Sequence, residues 1–440
     1  MVLDPKLRAL LDTPGMQLGA PPPEVTAAMV REGAKQLLPA VAPPPIHATR
    51  DVHVTGPAGE LRVRLYRPSG AARLPLIVFY HGGGFVLCDL DSHDVLCRTL
   101  ANESGCAVAA VEYRLSPEAK FPAPLEDCCA ALVELTSRAQ EFDIDPDRVA
   151  VCGDSAGGNL AAAVCLRARD RGGPSIKYQA LICPVIDAAC DSASMHSLAE
   201  GYMLSRGLMQ WFWSCYLEKA EDGTNPLASP LRATSLAGLP PASVITAEFD
   251  PLLDEGEAYA NRLMAAGVPV VVRRYLGMIH DFVQMPLATE VAQRGISDIA
   301  QDLRAALVPP VRSRIATAQA MYEGAMSGNW QTVEGLLTED FVIHEAPSLP
   351  FGGVYRGKSA LQELLVKVGG MLTLSDVKFK QFMAQGEHVI VSLDLIADHR
   401  GRSETLSVVE VLRFRGEQVC ELRPFYFDAA QVAAVVAARH

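Results

Sequence analysis

The sequence contains no run of apolar residues approaching the roughly 18 that a membrane-spanning helix needs, so no span is expected. Nor is a secretory leader expected at its start. Residues 1–17 mix Asp4, Lys6, Arg8 and Asp12 with single leucines, and a cytoplasmic location is expected. Basic residues are in deficit: lysine and arginine number 39 against 51 aspartates and glutamates, a formal net charge of −12. Such a surface repels nucleic acid and anionic membranes, so neither is an expected partner. There are 11 cysteines, an odd number with no C-x-x-C pair among them, which removes support for zinc, dithiol chemistry or a disulfide framework. Cys88, Cys97, Cys106, Cys152, Cys165 and Cys183 lie among apolar residues and are expected as buried reduced thiols. No metal and no cofactor is called for. No internal repeat links one half of the chain to the other.

What remains is an ordinary globular composition, 49% apolar, in a chain of 440 residues. That length exceeds what one hydrophobic core sustains, so two domains are expected. Residues 1–45 are amphipathic, interrupted by two Pro-Pro-Pro runs, with a helix expected around residues 24–38. From Arg50 the texture alternates: His53-Val54 and residues 61–66 predict half-exposed antiparallel strands at a sheet edge. Short continuous apolar runs follow at residues 76–80, 107–111, 149–152, 180–183, 244–247 and 270–272, separated by helix-length segments. This pattern predicts a parallel sheet covered on both faces. Residues 187–239 are too many for a simple crossover and hold Met203, Leu204, Met209, Trp211, Phe212, Trp213 and Tyr216. A helical insertion capping the active end of the sheet is expected there. The aromatics would either narrow a pocket or form the core of that cap.

The pattern stops at Val308-Pro309-Pro310-Val311. Helices are expected over residues 313–326 and 330–337, then strands of period two at residues 377–382, 389–396, 406–414 and 419–426. Helices followed by a run of strands indicate an α+β domain.

Gly153-Asp154-Ser155-Ala156-Gly157 fits G-x-S-x-G, the turn that lifts a nucleophilic serine above a sheet. The turn is tight enough that small residues must flank the serine. An apolar strand precedes it and a helix follows, whose N-terminus directs N–H groups and partial positive charge toward a developing oxyanion. A serine in a glycine turn is more often structural, but this context favours the nucleophile. His81-Gly82-Gly83-Gly84 follows another apolar run, and three glycines allow backbone amides to approach a substrate unobstructed. Gly83, Gly84 and Ala156 are the expected oxyanion donors, with Gly82 a weaker candidate. His81 is expected to brace the loop.

Six histidines follow Ser155: His196, His280, His344, His388, His399 and His440. The last four fall in or beyond the second module and His196 falls in the insertion. His280, after the last apolar run and a turn at Gly277, is the expected general base. For its acidic partner, Asp250 follows residues 244–248 and completes the chain order Ser, Asp, His. Asp187 also ends an apolar run and is the runner-up; Asp254 suits a capping role, and Asp154 is too close to the serine.

These residues resemble the hormone-sensitive-lipase-like family of bacterial esterases. The resemblance spans about residues 1–308 and rests on His81 to Gly84, Tyr113-Arg114-Leu115-Ser116-Pro117-Glu118, Phe121-Pro122-Ala123-Pro124, Gly153 to Gly158, Asp250-Pro251-Leu252 and His280-Asp281-Phe282. It implies an α/β fold class, an α/β-hydrolase core with a helical cap drawn from about residues 1–48 and 188–238. It further implies hydrolysis of short- to medium-chain acyl esters, small-molecule substrates, through an acyl-enzyme. Asp281 departs from the family, which commonly has glycine there, and puts negative charge beside the base.

Beyond a linker at residues 309–312, residues 313–440 resemble a SnoaL-like, ketosteroid-isomerase-like α+β cone, on Gly328-Asn329-Trp330, residues 341–347 and Tyr355-Arg356-Gly357. The resemblance implies an acidic base near Glu345, with a polar aromatic such as Tyr322 on the preceding helix. Three readings of the whole follow. It is an esterase whose cone serves dimerisation, as a homodimer, or ligand docking; an enzyme whose cone adds isomerase or cyclase proton transfer; or an inactive binding protein. The last is disfavoured because every hydrolytic group is present.

Overall fold

Fully apolar runs form strands that can be buried on both faces, and the computed structural model of the chain builds its first unit on them. The structure describes residues 2–34, 41–308, 314–399 and 402–437. Eight strands make one sheet: β1 (Ala48–Gly56), β2 (Gly59–Arg67), β3 (Leu74–Tyr80), β4 (Ala107–Val111), β5 (Ile144–Asp154), β6 (Tyr178–Ile182), β7 (Ala242–Phe249) and β8 (Val270–Ile279). Their order is β1-β2-β4-β3-β5-β6-β7-β8. β1 and β2 form an antiparallel hairpin at the edge, β2 pairs antiparallel with β4, and the remaining pairings are parallel. Every residue of β3, β4 and β6 is buried.

Two apolar clusters cover the sheet. One gathers Val78, Val151 and Leu181 with Leu125, Leu132, Leu160 and, from the 187–239 insertion, Leu208, Phe212 and Trp213. The other gathers Ile77, Phe79 and Cys152 with Leu96, Leu100, Ile299, Leu303 and Leu7 near the N-terminus. β8 runs further than the expected residues 270–272. It passes through Gly277, whose positive φ of 74° accommodates an irregularity while its N–H donates to Glu248 Oε2 at 2.7 Å. All eleven cysteines are free, and only Cys88 and Cys129 are half-exposed rather than buried.

The chain divides into two compact units, Met1–Pro309 and Pro310–His440. The expected linker, residues 309–312, and residue 313 lie outside the described residues, as do residues 35–38 of the expected first helix, which is observed over Ala27–Ala34. In the second unit six strands order as β10-β9-β14-β13-β12-β11. They are β9 (Leu337–Glu345), β10 (Gly353–Arg356), β11 (Leu374–Gln385), β12 (His388–His399), β13 (Arg402–Arg415) and β14 (Gln418–Tyr426). Helices Arg314–Ser327, Trp330–Gly335, Ala360–Met371 and Ala429–Ala437 accompany them. The third and fourth were not anticipated, although Ala360, Leu361, Leu364 and Val368 bury one face of the third.

Candidate active site

β5 ends at Asp154 and a helix begins at Ala156, leaving Ser155 alone in the turn with φ 52° and ψ −117°. A side chain rarely adopts that backbone, so the turn must be held from both sides. Ser155 N–H donates to Ile182 O at 2.8 Å, and Val185 N–H donates to Ser155 O at 3.1 Å. The flanking glycines are steric necessities. A Cβ on Gly153 would lie 2.3 Å from Gly157 O, and one on Gly157 would lie 1.9 Å from Tyr80 O.

Ser155 Oγ stands 2.9 Å from Nε2 of His280, and Nδ1 of His280 stands 2.7 Å from Asp250 Oδ2. All three side chains are buried. Asp250 follows β7 and is held by Leu252 N–H, which donates to Oδ1 at 2.9 Å; His280 follows β8 directly. Burial opposes charging of the imidazole, but the Asp250 and Asp281 carboxylates outweigh it and raise His280 well above the ordinary histidine range. Asp187, the runner-up acid, instead pairs with Arg232 at 2.7 Å, and Asp254 Oδ2 accepts Ser194 N–H at 2.6 Å. His196 is an exposed partner of Asp191.

The glycine loop reaches the same cavity of about 580 Å³, where Gly83 and Gly84 join Ser155 and His280. Gly83 and Gly84 take φ of 103° and 61°. Their N–H groups donate to no protein acceptor among the described residues, whereas Gly82 N–H donates to Asp154 Oδ1 at 3.1 Å. Gly82 is therefore committed elsewhere, and Ala156 opens its helix with a first-turn N–H that has no intrahelical partner. His81 stacks on Tyr113 with ring centroids 4.3 Å apart, and burial lowers it to about 4, so it braces the loop as a neutral ring.

Apolar side chains wall the cavity: Met16 and Leu18 from the N-terminal segment, Met203, Leu208 and Phe212 from the insertion. Of the insertion's aromatics only Phe212 lines it; Tyr216 stacks on Phe85 at 3.8 Å and Trp213 packs beside them in the core. Cys183, Asp250 and His280 offer ligand atoms within 4.8 Å of one another. Two ligands of one tetrahedral zinc lie about 3.3 Å apart, so the 2.7 Å contact of Asp250 with His280 has hydrogen-bond geometry. Sequence reasoning missed His93, because only histidines after Ser155 were weighed as bases. Nothing in Asp89-Leu90-Asp91-Ser92-His93 signals that its Nε2 meets Asp154 Oδ2 at 3.0 Å.

In the second unit Tyr322 and Glu345 have different partners. Tyr322 donates its hydroxyl to Glu410, while Tyr426 approaches both oxygens of Glu345 at 3.3 Å. Burial and the neighbouring Glu410 push Glu345 up to about 7.

Residues 77–284 match the alpha/beta hydrolase fold family and residues 318–422 the SnoaL-like domain family. The chain is 42% identical to a carboxylic ester hydrolase of Mycobacterium tuberculosis over 69% of its own length and 83% of that protein's. It is 38% identical to an arylesterase of Saccharolobus solfataricus, over 62% of this chain and 90% of that one. Among solved structures, a hyperthermophilic esterase from the archaeon Pyrobaculum calidifontis superposes with a TM-score of 0.66 at 42% identity, covering 69% of this chain and 99% of that one. The chain belongs to the α/β-hydrolase family, in its hormone-sensitive-lipase-like group, and carries a C-terminal SnoaL-like domain.

Proposed function

We propose that this carboxylic ester hydrolase acts by nucleophilic catalysis, with Ser155 as nucleophile, His280 as general base and Asp250 as the carboxylate that orients and stabilises the imidazole. The observation that carries the reading is the unbroken chain of contacts from Asp250 Oδ2 through both nitrogens of His280 to Ser155 Oγ, at 2.7 and 2.9 Å. Asp250 keeps a proton on Nδ1, so Nε2 presents its lone pair to the serine hydroxyl. Oγ attacks the ester carbonyl as its proton passes to Nε2. The N–H groups of Gly83, Gly84 and Ala156 receive the oxyanion. Nε2 then protonates the departing alkoxide, and water releases the acyl group by the same steps in reverse.

The apolar wall around Phe212, Leu208 and Met203 and a volume of about 580 Å³ favour short- to medium-chain acyl groups. The SnoaL-like domain we assign to dimerisation, in a homodimer, or to ligand docking. A second reading, proton-transfer chemistry in that domain, rests on Glu345, buried beside Tyr426 and raised to about 7. A cytoplasmic site of action completes the proposal; among the described residues no helix is long and apolar enough to cross a membrane. The testing experiment is turnover of chromogenic esters of graded acyl length by the wild type and Ser155→Ala. Turnover should be confined to the wild type and fall off with the longer chains.

A further inference from the structure

His280 is held by carboxylates at both ring nitrogens. Asp250 Oδ2 lies 2.7 Å from Nδ1, and Asp281 Oδ2 lies 3.2 Å from Nε2, the same nitrogen that Ser155 Oγ approaches at 2.9 Å. We propose that Asp281 is a positioning residue for the hydrolytic reaction: a second carboxylate on His280 that sets the pH above which the imidazole can take the Ser155 proton. The proposal rests on the triad reading given above.

Nothing in folding requires an aspartate there. Residue 281 is left-handed, with φ 49° and ψ 33°, a conformation that glycine adopts freely and aspartate only at a modest cost. Its Oδ1 is buried without a hydrogen-bond partner among the described residues. Strain and an unsatisfied buried oxygen both oppose stability, so the side chain must be explained by what it does at His280. The left-handed turn aims it into the catalytic cavity, which no lysine or arginine lines among the described residues.

A neutral His280 with its proton on Nδ1 turns a lone pair toward Ser155. A bare carboxylate oxygen 3.2 Å from that lone pair is repelled. The resting pair therefore holds a further proton, on Nε2 or on Oδ2, and it must leave before Ser155 can be deprotonated. When the serine proton reaches Nε2, Asp281 together with Asp250 stabilises the imidazolium until Nε2–H passes to the leaving alkoxide. The other groups facing the pair are the Asp154 carboxylate in the elbow, His93 and the Cys88 thiol on the loop after the glycines, and the Cys183 thiol beyond β6. His93 is matched by Asp154 at 3.0 Å, so it leaves the Asp281 charge for His280.

The experiment is the pH profile of kcat/KM on a neutral short-chain nitrophenyl ester for wild type, Asp281→Gly and Asp281→Asn. The pH dependence of Ser155 modification by a neutral organophosphonate gives a second readout that needs no turnover. Activity rises with pH as His280 loses its proton, and removing a carboxylate makes that loss easier. The acid limb should move down by about one pH unit or more in both variants, which is about fivefold more relative activity one unit below the wild-type limb and about tenfold well below both limbs. Asp281→Gly relieves the left-handed strain and should fold at least as well as wild type. Acid limbs that coincide with wild type in both variants and both readouts overturn the role of Asp281. Full turnover in Ser155→Ala would instead strike the triad reading beneath it.

Discussion

The N–H of Gly82 donates to Asp154 Oδ1 at 3.1 Å, tying the glycine loop to the residue just before Ser155. Asp154 is held in turn by His93, 3.0 Å from its other oxygen and flanked by Ser92 Oγ at 3.0 Å. Burial opposes a charge on His93, but the Asp154 carboxylate outweighs it and keeps the imidazole above its ordinary range. The turn around Ser155 and the glycine loop are thus braced by one buried ion pair.

Breaking that brace should damage the transition state more than substrate binding. Loss of one oxyanion donor costs about 100- to 1000-fold in kcat, and loosening the loop should cost less, about 10- to 100-fold. Steady-state kinetics of Asp154→Ala should show this fall with KM changed by less than about threefold. A raised KM with kcat intact would assign the pair to binding instead.

The triad members should fail unequally. Ser155→Ala should reduce hydrolysis to background, and Asp250→Asn should lower kcat by about 10000-fold by releasing the wrong imidazole tautomer. Initial rates at saturating ester measure both. Activity in Asp250→Asn near the wild-type level would return Asp187 to consideration.

Gly157 cannot carry a side chain, because its Cβ would meet the backbone oxygens of Tyr80 and His81 at 1.9 and 2.7 Å. Gly157→Ala should destabilise the first unit by about 3 kcal/mol or more, since backbone rather than a flexible side chain must yield. Denaturant unfolding should show a lowered midpoint, whereas Gly172→Ala, with open space around its Cβ, reports only the strain of its φ of 65°.

Glu255 should make stability depend on pH. Burial pushes its carboxyl up to about 8, while the N–H groups of Ile186 and Asp187 donate to Oε1 at 2.7 and 3.3 Å. A folded value above the unfolded one means that stability is fully present below the unfolded value of about 4.5 and declines as pH rises toward 8. Glu255→Gln keeps the acceptor and removes the titration. Melting temperatures measured from pH 4.5 to 8 should therefore fall more steeply for wild type than for the variant.

Removing residues 310–440 should leave ester hydrolysis within about twofold, because the cavity, the triad and the glycine loop all lie in the first unit. Sedimentation of the same truncated chain tests the homodimer. Glu345→Ala in the full chain should change no ester rate; a proton-transfer activity lost in that variant would establish the second reading.

The turn around Ser155 was legible because its constraint is local. Gly153 and Gly157 are required by backbone atoms a few residues or one strand away, and the strand before and helix after follow from contiguous patterns. The doubly covered sheet was legible for the same reason: β3, β4 and β6 have no polar side to show to water. The hairpin β1–β2 appeared in its alternation, and the helix Ala360–Met371 escaped because its apolar face is short and shared with exposed Leu365 and Val366.

By itself the sequence determined the strands of the first unit and the last four of the second, the tight turn at Ser155, the glycine loop and the order of Ser155, Asp250 and His280, since each is a matter of sterics or burial within one segment. Only the tertiary structure decided who meets whom. Residues 125 apart brought His280 to Ser155, Gly82 was taken by Asp154 and not left for an oxyanion, and His93 emerged as the partner of Asp154. Tyr322 went to Glu410 and Tyr426 to Glu345. Such choices depend on which loops converge at the end of a sheet, where a hydrogen bond over 3 Å is set by packing from every side and leaves no periodic trace in the chain.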